Sequence, residues 1–511
     1  MTRPACVLPA TSIQKLAVEA LARQGEYGAV VDLAHEHGVS RHQVYTTRER
    51  ARGALAVEFG APSEHEPDGE GFTLHVTETD IARAVVAMRV TMPASIRDEV
   101  AMLPIIYGTG WSFGKIQALL VAAEAKAAEF NGRVDLSRIH HVALDEMFSQ
   151  GSPVFGGIDL DTGYLFLLED CPTRTGAEWT EALSALRDEQ ALHPRVVVKD
   201  AGEAMTMAIG ACFPDAEQRD DLFHAVRLMG QVAYHFERRA YAAIAGVDNL
   251  ERKRRRARTE AERRSFGQQL RQAKVHMERA IERFDLFDRY QREARRALAL
   301  TDRGQGRLHS ATEVIATLHK VADGIDVLGG HRAHKVARYL RNRAPGLARY
   351  LGALAARLAS AAADVGGADV VEAVVRAWQA SMEVEQGGPW WDLRARSDEL
   401  DAAIAGLLAR TGRDAGHVRK ALATVLPIVA QRHRASSAIE NLNSVLRPYL
   451  VVHKGVQQGF LDLFRFYWNT RVRQWGPHKG TSAHQLLTGE RIEDWVTLLG
   501  YPPSRPALAA A

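Results

Sequence analysis

The stretch His140-His-Val-Ala-Leu-Asp-Glu146 decides how the middle of this chain folds. Its apolar residues predict a short buried strand that delivers two adjacent acids, Asp145 and Glu146. A second β-branched run, Arg195-Val-Val-Val-Lys-Asp-Ala-Gly202, predicts another strand that ends in Asp200 and a glycine. Two strands therefore each place an acid where the strand ends.

The residues between these two strands predict a hairpin and a helix. Strands are expected at 139–145, 153–160 and 164–169, with a tight turn at Asp161-Thr-Gly163. Asp161 is explained by its place in the turn, and Asp159 by the alternation of side chains along the hairpin strand. Neither is therefore predicted to bind metal. An amphipathic helix over 176–190 leads back to a parallel strand at 195–200, and a helix over 202–213 and a last short strand near 219 follow.

A third acid, Glu440, lies in Ser436-Ser-Ala-Ile-Glu-Asn-Leu-Asn-Ser-Val-Leu-Arg447. Either serine can cap a helix, whose buried face would carry Ile439, Leu442 and Leu446. A neighbouring face would then carry Glu440, Asn443 or Ser444, and Arg447. That face can present a metal ligand, hydrogen-bond donors and a cation to one phosphodiester.

Three acids on two strand ends and one helix could hold metal ions. Carboxylate oxygens are hard ligands that suit Mg²⁺, and a pair of such ions can stabilise both oxygens of an in-line displacement. The three cysteines, Cys6, Cys171 and Cys212, are odd in number and widely spaced, so neither a disulfide framework nor a zinc knuckle is supported. They are predicted to be small buried side chains.

The order Asp, Asp, Glu in these contexts resembles the catalytic domain of the DDE transposases of bacterial insertion sequences. The resemblance covers roughly residues 136–235 and 432–492. It includes Ile439-Glu-Asn-Leu-Asn-Ser-Val-Leu-Arg447, the helix Phe460-Leu-Asp-Leu-Phe-Arg-Phe-Tyr-Trp-Asn-Thr-Arg471 and the trailing Gly480-Thr-Ser-Ala. Ala483 departs from the family, which more often has proline there.

The resemblance implies an α/β RNase H-like catalytic domain, interrupted by an all-α insertion and preceded by all-α helix-turn-helix domains. Asp145, Asp200 and Glu440 would be the catalytic residues and would hold Mg²⁺, for which Mn²⁺ is expected to substitute. His224 would lie near the scissile phosphate, or else be a surface or helix-cap histidine. Glu146 is expected to point away from Asp145 and, with Asn443 and Arg447, to support the site rather than bind metal directly.

The predicted domain boundaries follow changes in composition and in the spacing of the apolar residues. They are a helix-turn-helix domain over 1–60, an acidic, glycine- and proline-rich linker over 61–76, a second helical domain over 77–135, catalytic segments over 136–235 and 431–511, and a helical insertion over 236–430. Breaks in the insertion are expected near Asp302, Gly329, Gly366 and Gln386. No good strand is expected within it.

Two helix starts are candidates for contact with DNA bases. Ser40-Arg-His-Gln43 is a capping-box pattern, and in a helix-turn-helix its helix would present Arg41, His42, Gln43 and Arg48 to the major groove. The helix that restarts at Ser112 would likewise present Lys115 and Gln117. Plain packing helices are the alternative in both places.

The insertion begins with an arginine-rich run, Arg252-Lys-Arg-Arg-Arg256, followed by Arg263-Arg264. Arg254 and Arg255 are candidates for phosphate contact, but acids are interleaved, so a solvated helix face is the alternative. Trp390 and Trp391 are expected to be packing anchors, and stacking of one on an unpaired base is the minority interpretation.

Composition is compatible with a DNA-acting enzyme but does not single one out. The 511 residues carry a formal net charge of only +3, with 46% hydrophobic and 25% charged residues, which predicts a soluble multidomain protein. No apolar run approaches the roughly 18 residues of a membrane span, so we expect a cytoplasmic location.

The sequence thus predicts a DNA transposase that cleaves the ends of a mobile element and joins them to target DNA. Its partners would be double-stranded element ends and target DNA, bound by a homodimer or larger assembly. Two alternatives are an RNase H-like nuclease that does not transfer strands and a non-enzymatic DNA-binding regulator derived from a transposase.

Overall fold

The computed structural model describes residues 9–26, 28–59, 76–200, 202–302, 307–387, 390–432, 437–453 and 455–504. These form two compact units, one of residues 1–81 with 503–511 and one of residues 82–502. Within the described ranges, no helix is long and apolar enough to cross a membrane.

The described residues of the first unit include the helices α1 (Ala10–Ala22), α2 (Ala29–Glu36) and α3 (Arg41–Phe59). Leu16, Leu33 and Val44, one from each helix, form a small apolar core. The Ser40 hydroxyl accepts a hydrogen bond from the Gln43 amide at 3.2 Å, which is the serine half of the predicted capping box. Three helices are therefore present where the sequence predicts them.

Three helices then lead to the sheet: α4 (Glu78–Thr91), α5 (Ile96–Tyr107) and α6 (Phe113–Gly132). Helix α5 begins with a complete capping box, which Ser95 and Asp98 form. Gly108 then ends α5 in the left-handed conformation, with φ of 66°, which glycine adopts without a Cβ penalty.

The sheet begins with three antiparallel strands, β1 (His141–Ser149), β2 (Ser152–Asp159) and β3 (Leu165–Asp170). The turn between β2 and β3 has Gly163 at φ of 70°, as predicted. The Asp159 carboxylate accepts bonds from the Thr162 amide at 2.9 Å and from its hydroxyl. Asp159 therefore stabilises the turn, while Asp161 lies 2.6 Å from His141 Nδ1.

The chain then crosses to the other side of β1 through α7 (Gly176–Gln190), β4 (Val196–Lys199), α8 (Glu203–Cys212) and β5 (Glu217–Asp220). Strand β4 pairs in parallel with β1 and with β5, so the spatial order is β3-β2-β1-β4-β5. The predicted sequence of hairpin, helix and parallel strand is present.

Alternating side chains give the sheet two buried faces. Val142 and Leu144 point to the face covered by α7 and α8, where Trp179 is fully buried. Ala143 and Met147 point to the opposite face, as the period of two requires. Cys171 and Cys212 are buried free thiols, and Cys6 lies outside the described residues.

Among the described residues, eight helices and a small two-stranded sheet follow. Their bounds are α9 (Leu222–Arg256), α10 (Glu260–Ala297), β6 (Thr301–Asp302), β7 (Arg307–Leu308), α11 (Ala311–Val327), α12 (His331–Ala348), α13 (Tyr350–Val365), α14 (Ala368–Glu385), α15 (Trp390–Arg410) and α16 (Ala415–Ala430).

The expectation that this region has no strand was wrong, because β6 and β7 pair in antiparallel fashion around Thr301 and Leu308. The predicted breaks near Gly329, Gly366 and Gln386 are observed between helices. Helix α9 runs without interruption across residue 235, so the predicted start of the insertion falls inside a helix. The helices share one core, to which α9 contributes Met229 and Phe236.

The chain returns to the sheet through α17 (Ser437–Val452) and α18 (Gln458–Thr470), and two short helices follow, α19 (Ala483–Thr488) and α20 (Trp495–Leu498). Asn469 receives a bond from the Leu165 amide at 2.7 Å and donates to the Leu165 carbonyl at 2.9 Å. Arg465 donates to the same carbonyl at 3.1 Å. Helix α18 thereby satisfies backbone groups on the edge strand β3.

Candidate acidic site at the sheet end

Asp145, Asp200 and Glu440 line one cavity of about 210 Å³. In the register of β1 and β4, Leu144 lies opposite Lys199, so the two aspartates are the next residues on adjacent parallel strands. Glu440 enters from the first turn of α17. The structure thus brings together all three acids that the sequence singles out, from segments about 300 residues apart.

Asp145 is the most constrained of the three. One carboxylate oxygen accepts from the Asn443 side-chain amide at 2.7 Å and the other from the Glu146 backbone amide at 2.8 Å. Burial outweighs the effect of these two bonds, which lower the pKa of Asp145, and with a smaller contribution from the charges of Asp200 and Glu440 it raises that pKa to about 6. A cation beside this carboxylate would favour its charged form.

Asp200 is held by a backbone amide at the start of α8. Its Oδ1 accepts from the Gly202 amide at 2.8 Å. A Cβ on residue 202 would lie 3.0 Å from that same oxygen, so a side chain there would crowd the carboxylate. The Asp200 carbonyl accepts from Lys199 Nζ at 3.3 Å, which ties the end of β4 to a buried lysine.

Glu440 is positioned by the apolar face of its helix. Ile439, Leu442 and Leu446 are all fully buried, which confirms the face predicted from their spacing. Glu440 Oε1 lies 3.4 Å from Arg227 Nη1 on α9.

The neighbouring face of α17 also carries the side chains that its spacing predicts, and the structure distinguishes Asn443 from Ser444. Asn443 reaches Asp145, and Arg447 lines the cavity. Ser444, the alternative to Asn443, is exposed and donates to the Asn441 carbonyl at 2.8 Å.

Glu146 points away from Asp145 into the sheet's other face and accepts from Trp179 Nε1 at 2.9 Å. Trp179 stacks on Phe155 with ring centroids 3.9 Å apart, which fixes the indole. Burial raises the pKa of Glu146, and the bond from Trp179 opposes that shift. The residue lines the cavity, but its tryptophan bond gives it a structural partner.

His224 lies in the first turn of α9 and also lines the cavity. It is half-buried, with its ring centroid 5.7 Å from that of Tyr339. Burial lowers its pKa, while Asp200 acts in the opposite direction. Burial thus favours the neutral imidazole, which can donate one hydrogen bond and accept another.

Sequence reasoning missed three further cavity residues, Arg174, Asp221 and Arg227. Asp221 caps α9 by accepting from the amides of Phe223 and His224 at 2.9 and 3.1 Å. Arg227 lies one turn after His224, so helical spacing could have identified it. Arg174 lies in the loop before α7, where no periodic signal marks it.

The donor chemistry of this site suits a hard divalent cation, although each acid already has a protein partner. Carboxylate oxygens from several elements are the ligands that Mg²⁺ takes, and the mutual repulsion around Asp145 favours a cation. Across the residues that the structure describes, however, no three His, Cys, Asp or Glu side chains form a ready-made ligand cluster. Metal binding there stays a prediction.

The residues of the first unit that are predicted to bind DNA differ in how exposed they are. Arg41 and His42 are exposed at the start of α3, and Gln43 is half-buried. The Arg48 guanidinium lies 5.3 Å from the centre of the Tyr45 ring and is partly buried. Arg41 and His42 are thus the accessible members of the set.

The other predicted contacts lie in the second unit. Lys115 and Gln117 are exposed on α6, with Lys115 Nζ 4.0 Å from the centre of the Trp111 ring. Arg254 and Arg255 are exposed and line a cavity of about 880 Å³ between α9 and α10. Trp390 is 71% exposed, which disagrees with a packing anchor, and the Trp391 side chain lies outside the described residues.

A family model of DDE transposases of the ISL3 group, described as transposase, matches residues 144–354. This segment contains Asp145 and Asp200 and reaches into the helical region, while Glu440 lies beyond it. The match supports the resemblance to DDE transposases of insertion sequences. No curated protein matches the chain.

Proposed function

We propose that this chain, whose residues 144–354 match a transposase family, is a DNA transposase that cleaves phosphodiesters at the ends of a mobile element and joins them to target DNA. The observation that carries the proposal is the cavity at the sheet end. There Asp145, Asp200 and Glu440 meet, together with arginines that suit a phosphate.

The strand order supports an RNase H-like assignment for the sheet. Three antiparallel strands are followed by two parallel ones on the other side of β1, with helices on both faces. The helices from α9 to α16 would be the all-α insertion, since they separate β5 from the helix that carries Glu440. The helices of the first unit would be the helix-turn-helix domain.

Asp145, Asp200 and Glu440 would hold Mg²⁺, with Mn²⁺ as a substitute. Such ions supply charge neutralisation to the attacking and leaving oxygens of a phosphodiester displacement. Asn443 keeps the Asp145 carboxylate oriented through its 2.7 Å bond and opposes the rise of the pKa of Asp145. No protein nucleophile is required, because phosphoryl transfer depends mainly on positioning and charge.

The arginines around the cavity would bind the DNA phosphate. Arg447 follows Glu440 by two turns of α17, and Arg174 enters from the loop before α7. Arg227 is paired with Glu440 at 3.4 Å, so it would turn to a phosphate once Glu440 engages a cation. Arginine suits this task because its planar fork matches phosphate oxygens.

The test is Mg²⁺-dependent cleavage of DNA that carries the repeats flanking the gene. Glu440→Gln should bind this DNA with unchanged affinity and lose cleavage, because the amide keeps the shape and removes the charge. Glu203→Gln is the matched control, since Glu203 is an exposed acid in the first turn of α8. Equal cleavage by wild type and Glu440→Gln would reject this assignment.

A strand-joining assay separates transposition from the related nuclease activity. Pre-cleaved ends with free 3′ hydroxyls are mixed with a supercoiled target plasmid and Mg²⁺. The proposal predicts covalent joining that Glu440→Gln abolishes. Cleavage without joining would favour a nuclease, and DNA binding without either reaction would favour a regulator.

A further inference from the structure

Helix α9 joins the candidate site to a basic tip at the far end of the helical region. Its first turn supplies His224 and Arg227 to the cavity, and its last turn carries Lys253, Arg254, Arg255 and Arg256. The helix has 35 residues without a break. At 1.5 Å per residue, Arg227 and Arg256 are about 43 Å apart.

The buried residues of α9 lie along one side. Ala225, Met229, Val232, Phe236, Ala240 and Val247 are all buried. Helical geometry advances about 100° per residue, so these positions centre on the side opposite Arg227. The side that carries Arg227 therefore faces away from the core along the full length of the helix.

That outward side carries a regular row of arginines and tyrosines. The row consists of Arg227, Tyr234, Arg238, Tyr241, Arg252 and Arg256, all exposed and all within about 40° of Arg227 on an ideal helix. We call it the α9 stripe. Gln231 and Asn249 lie on the same side and add side-chain amides, which are also exposed.

The tyrosines of the stripe are unusually open for large rings. Tyr234 is 60% exposed and Tyr241 is 66% exposed. The Arg238 guanidinium lies 5.8 Å from the centre of the Tyr234 ring, so a cation and a hydroxyl donor are presented side by side. Arginine, tyrosine, asparagine and glutamine side chains are among the groups that contact DNA phosphates.

The acids near the basic tip are paired with groups of α9, α10 and the residues between these two helices. Glu262 accepts from the Thr259 and Arg258 amides at 3.1 and 2.9 Å and caps α10. Glu260 pairs with Arg264 at 3.4 Å, and Glu251 pairs with Lys274 at 3.2 Å. Each of these three acids therefore has a partner within α9, α10 or the residues between them. Residues 251–264 hold eight lysines and arginines against three glutamates, so the tip is positive overall.

We infer that the α9 stripe is a track for the phosphate backbone of double-stranded DNA. It would lead from the phosphodiester in the cavity to the basic tip. The inference rests on the proposed function for its starting point, because Arg227 belongs to both the cavity and the stripe. At 3.4 Å per base pair, a 43 Å track spans roughly 13 base pairs of flanking duplex.

This placement differs from the contacts predicted from sequence. Arg254 faces the opposite side of α9, where its Nε is 3.8 Å from the position that a Cβ on Gly267 of α10 would take. Arg252 and Arg256 lie on the stripe instead. The arginine-rich run would thus contact DNA through the members that continue the row begun by Arg227.

The first test is salt-dependent binding to a 25-base-pair duplex that carries the element end. Each phosphate contact contributes about 0.9 to the slope of log affinity against log salt. Arg238→Ala combined with Arg252→Ala should therefore lower that slope by about 2. Arg239→Ala is the matched control, since Arg239 is the exposed neighbour of Arg238 but lies roughly 120° off the stripe, and it should leave the slope unchanged.

The second test shortens the duplex. With only 6 base pairs beyond the scissile phosphate, the distal position 252 is out of reach, so wild type and Arg252→Ala should bind equally. With 20 base pairs, wild type should bind several-fold tighter.

Equal slopes for wild type and the double variant, or an Arg252 effect that is independent of duplex length, would overturn the inference. Cleavage by the wild-type protein in the same experiment separates that result from failure of the proposed function.

Discussion

The buried pair of Lys199 and Asp220 should be essential to the sheet beside the candidate site. Lys199 Nζ lies 3.3 Å from Asp220 Oδ1, with 2% and 8% exposure for the two residues. Burial lowers the pKa of Lys199, and the charge of Asp220 opposes that shift. Lys199→Met would therefore leave a buried carboxylate with one weaker partner, Arg343 at 3.8 Å.

Breaking a buried pair by removing one partner costs about 3–5 kcal/mol. Because Arg343 remains nearby, we expect the lower end, about 3 kcal/mol, for Lys199→Met. Hydrogen exchange of a peptide covering β4 is the assay, since it measures local opening of this strand. A loss of about 3 kcal/mol would speed exchange there by roughly a hundred-fold.

The double variant Lys199→Met with Asp220→Leu is the control, because two apolar residues of similar shape can replace such a pair. It should recover most of the lost protection in β4. A change below about five-fold in the single variant, or no recovery in the double variant, would refute the claim that this pair is buried and mutually dependent.

Three further outcomes are expected. Glu99 is 1% exposed, and burial raises its pKa to about 7, so the stability contributed by its neutral form is lost as pH rises through 7. Glu99→Gln should therefore add about 2–3 kcal/mol to the free energy of unfolding at pH 8.5 and little at pH 4. An equal gain at both pH values would contradict this. Asn443→Ala removes a hydrogen bond that lowers the pKa of Asp145. In a plot of cleavage rate against pH, the acidic limb should therefore move to higher pH. An unchanged plot would count against the bond between Asn443 and Asp145. A Cβ at Gly157 would lie 2.5 Å from the Phe166 ring, so Gly157→Ala should cost about 1–3 kcal/mol in urea unfolding, and an unchanged midpoint would show that the sheet accommodates it.

Much of the sheet was predictable because its strands carry strong local signals. The apolar run before Asp145 and the β-branched run before Asp200 predicted β1 and β4, although β1 continues past the predicted end at residue 145 to Ser149. The spacing of the apolar residues in 437–452 predicted the buried face of α17. Glu440 was chosen through the resemblance of its surroundings, since no local pattern connects it to strands nearly 300 residues away.

The features that were missed depend on tertiary context or on signals that were not used. The strands β6 and β7 have two residues each, too short for any period to show. The break at residues 257–259 does carry a signal, because Thr259 and Glu262 form a capping box there. The α9 stripe was missed because the predicted domain boundary after residue 235 divides the helix that carries it.

The most direct test of the central claim is whether Asp145, Asp200 and Glu440 act as one unit in cleavage. Single-turnover cleavage of element-end DNA would be measured for Asp145→Asn, Asp200→Asn, Glu440→Gln and each pair of these changes. Residues that act together show strongly non-additive losses. We expect each single variant to lose at least about a thousand-fold in rate, the scale of losing a major catalytic group, and each double variant to lose no more. Losses that multiply from single to double variants, or near-wild-type cleavage by any single variant, would contradict a shared catalytic site.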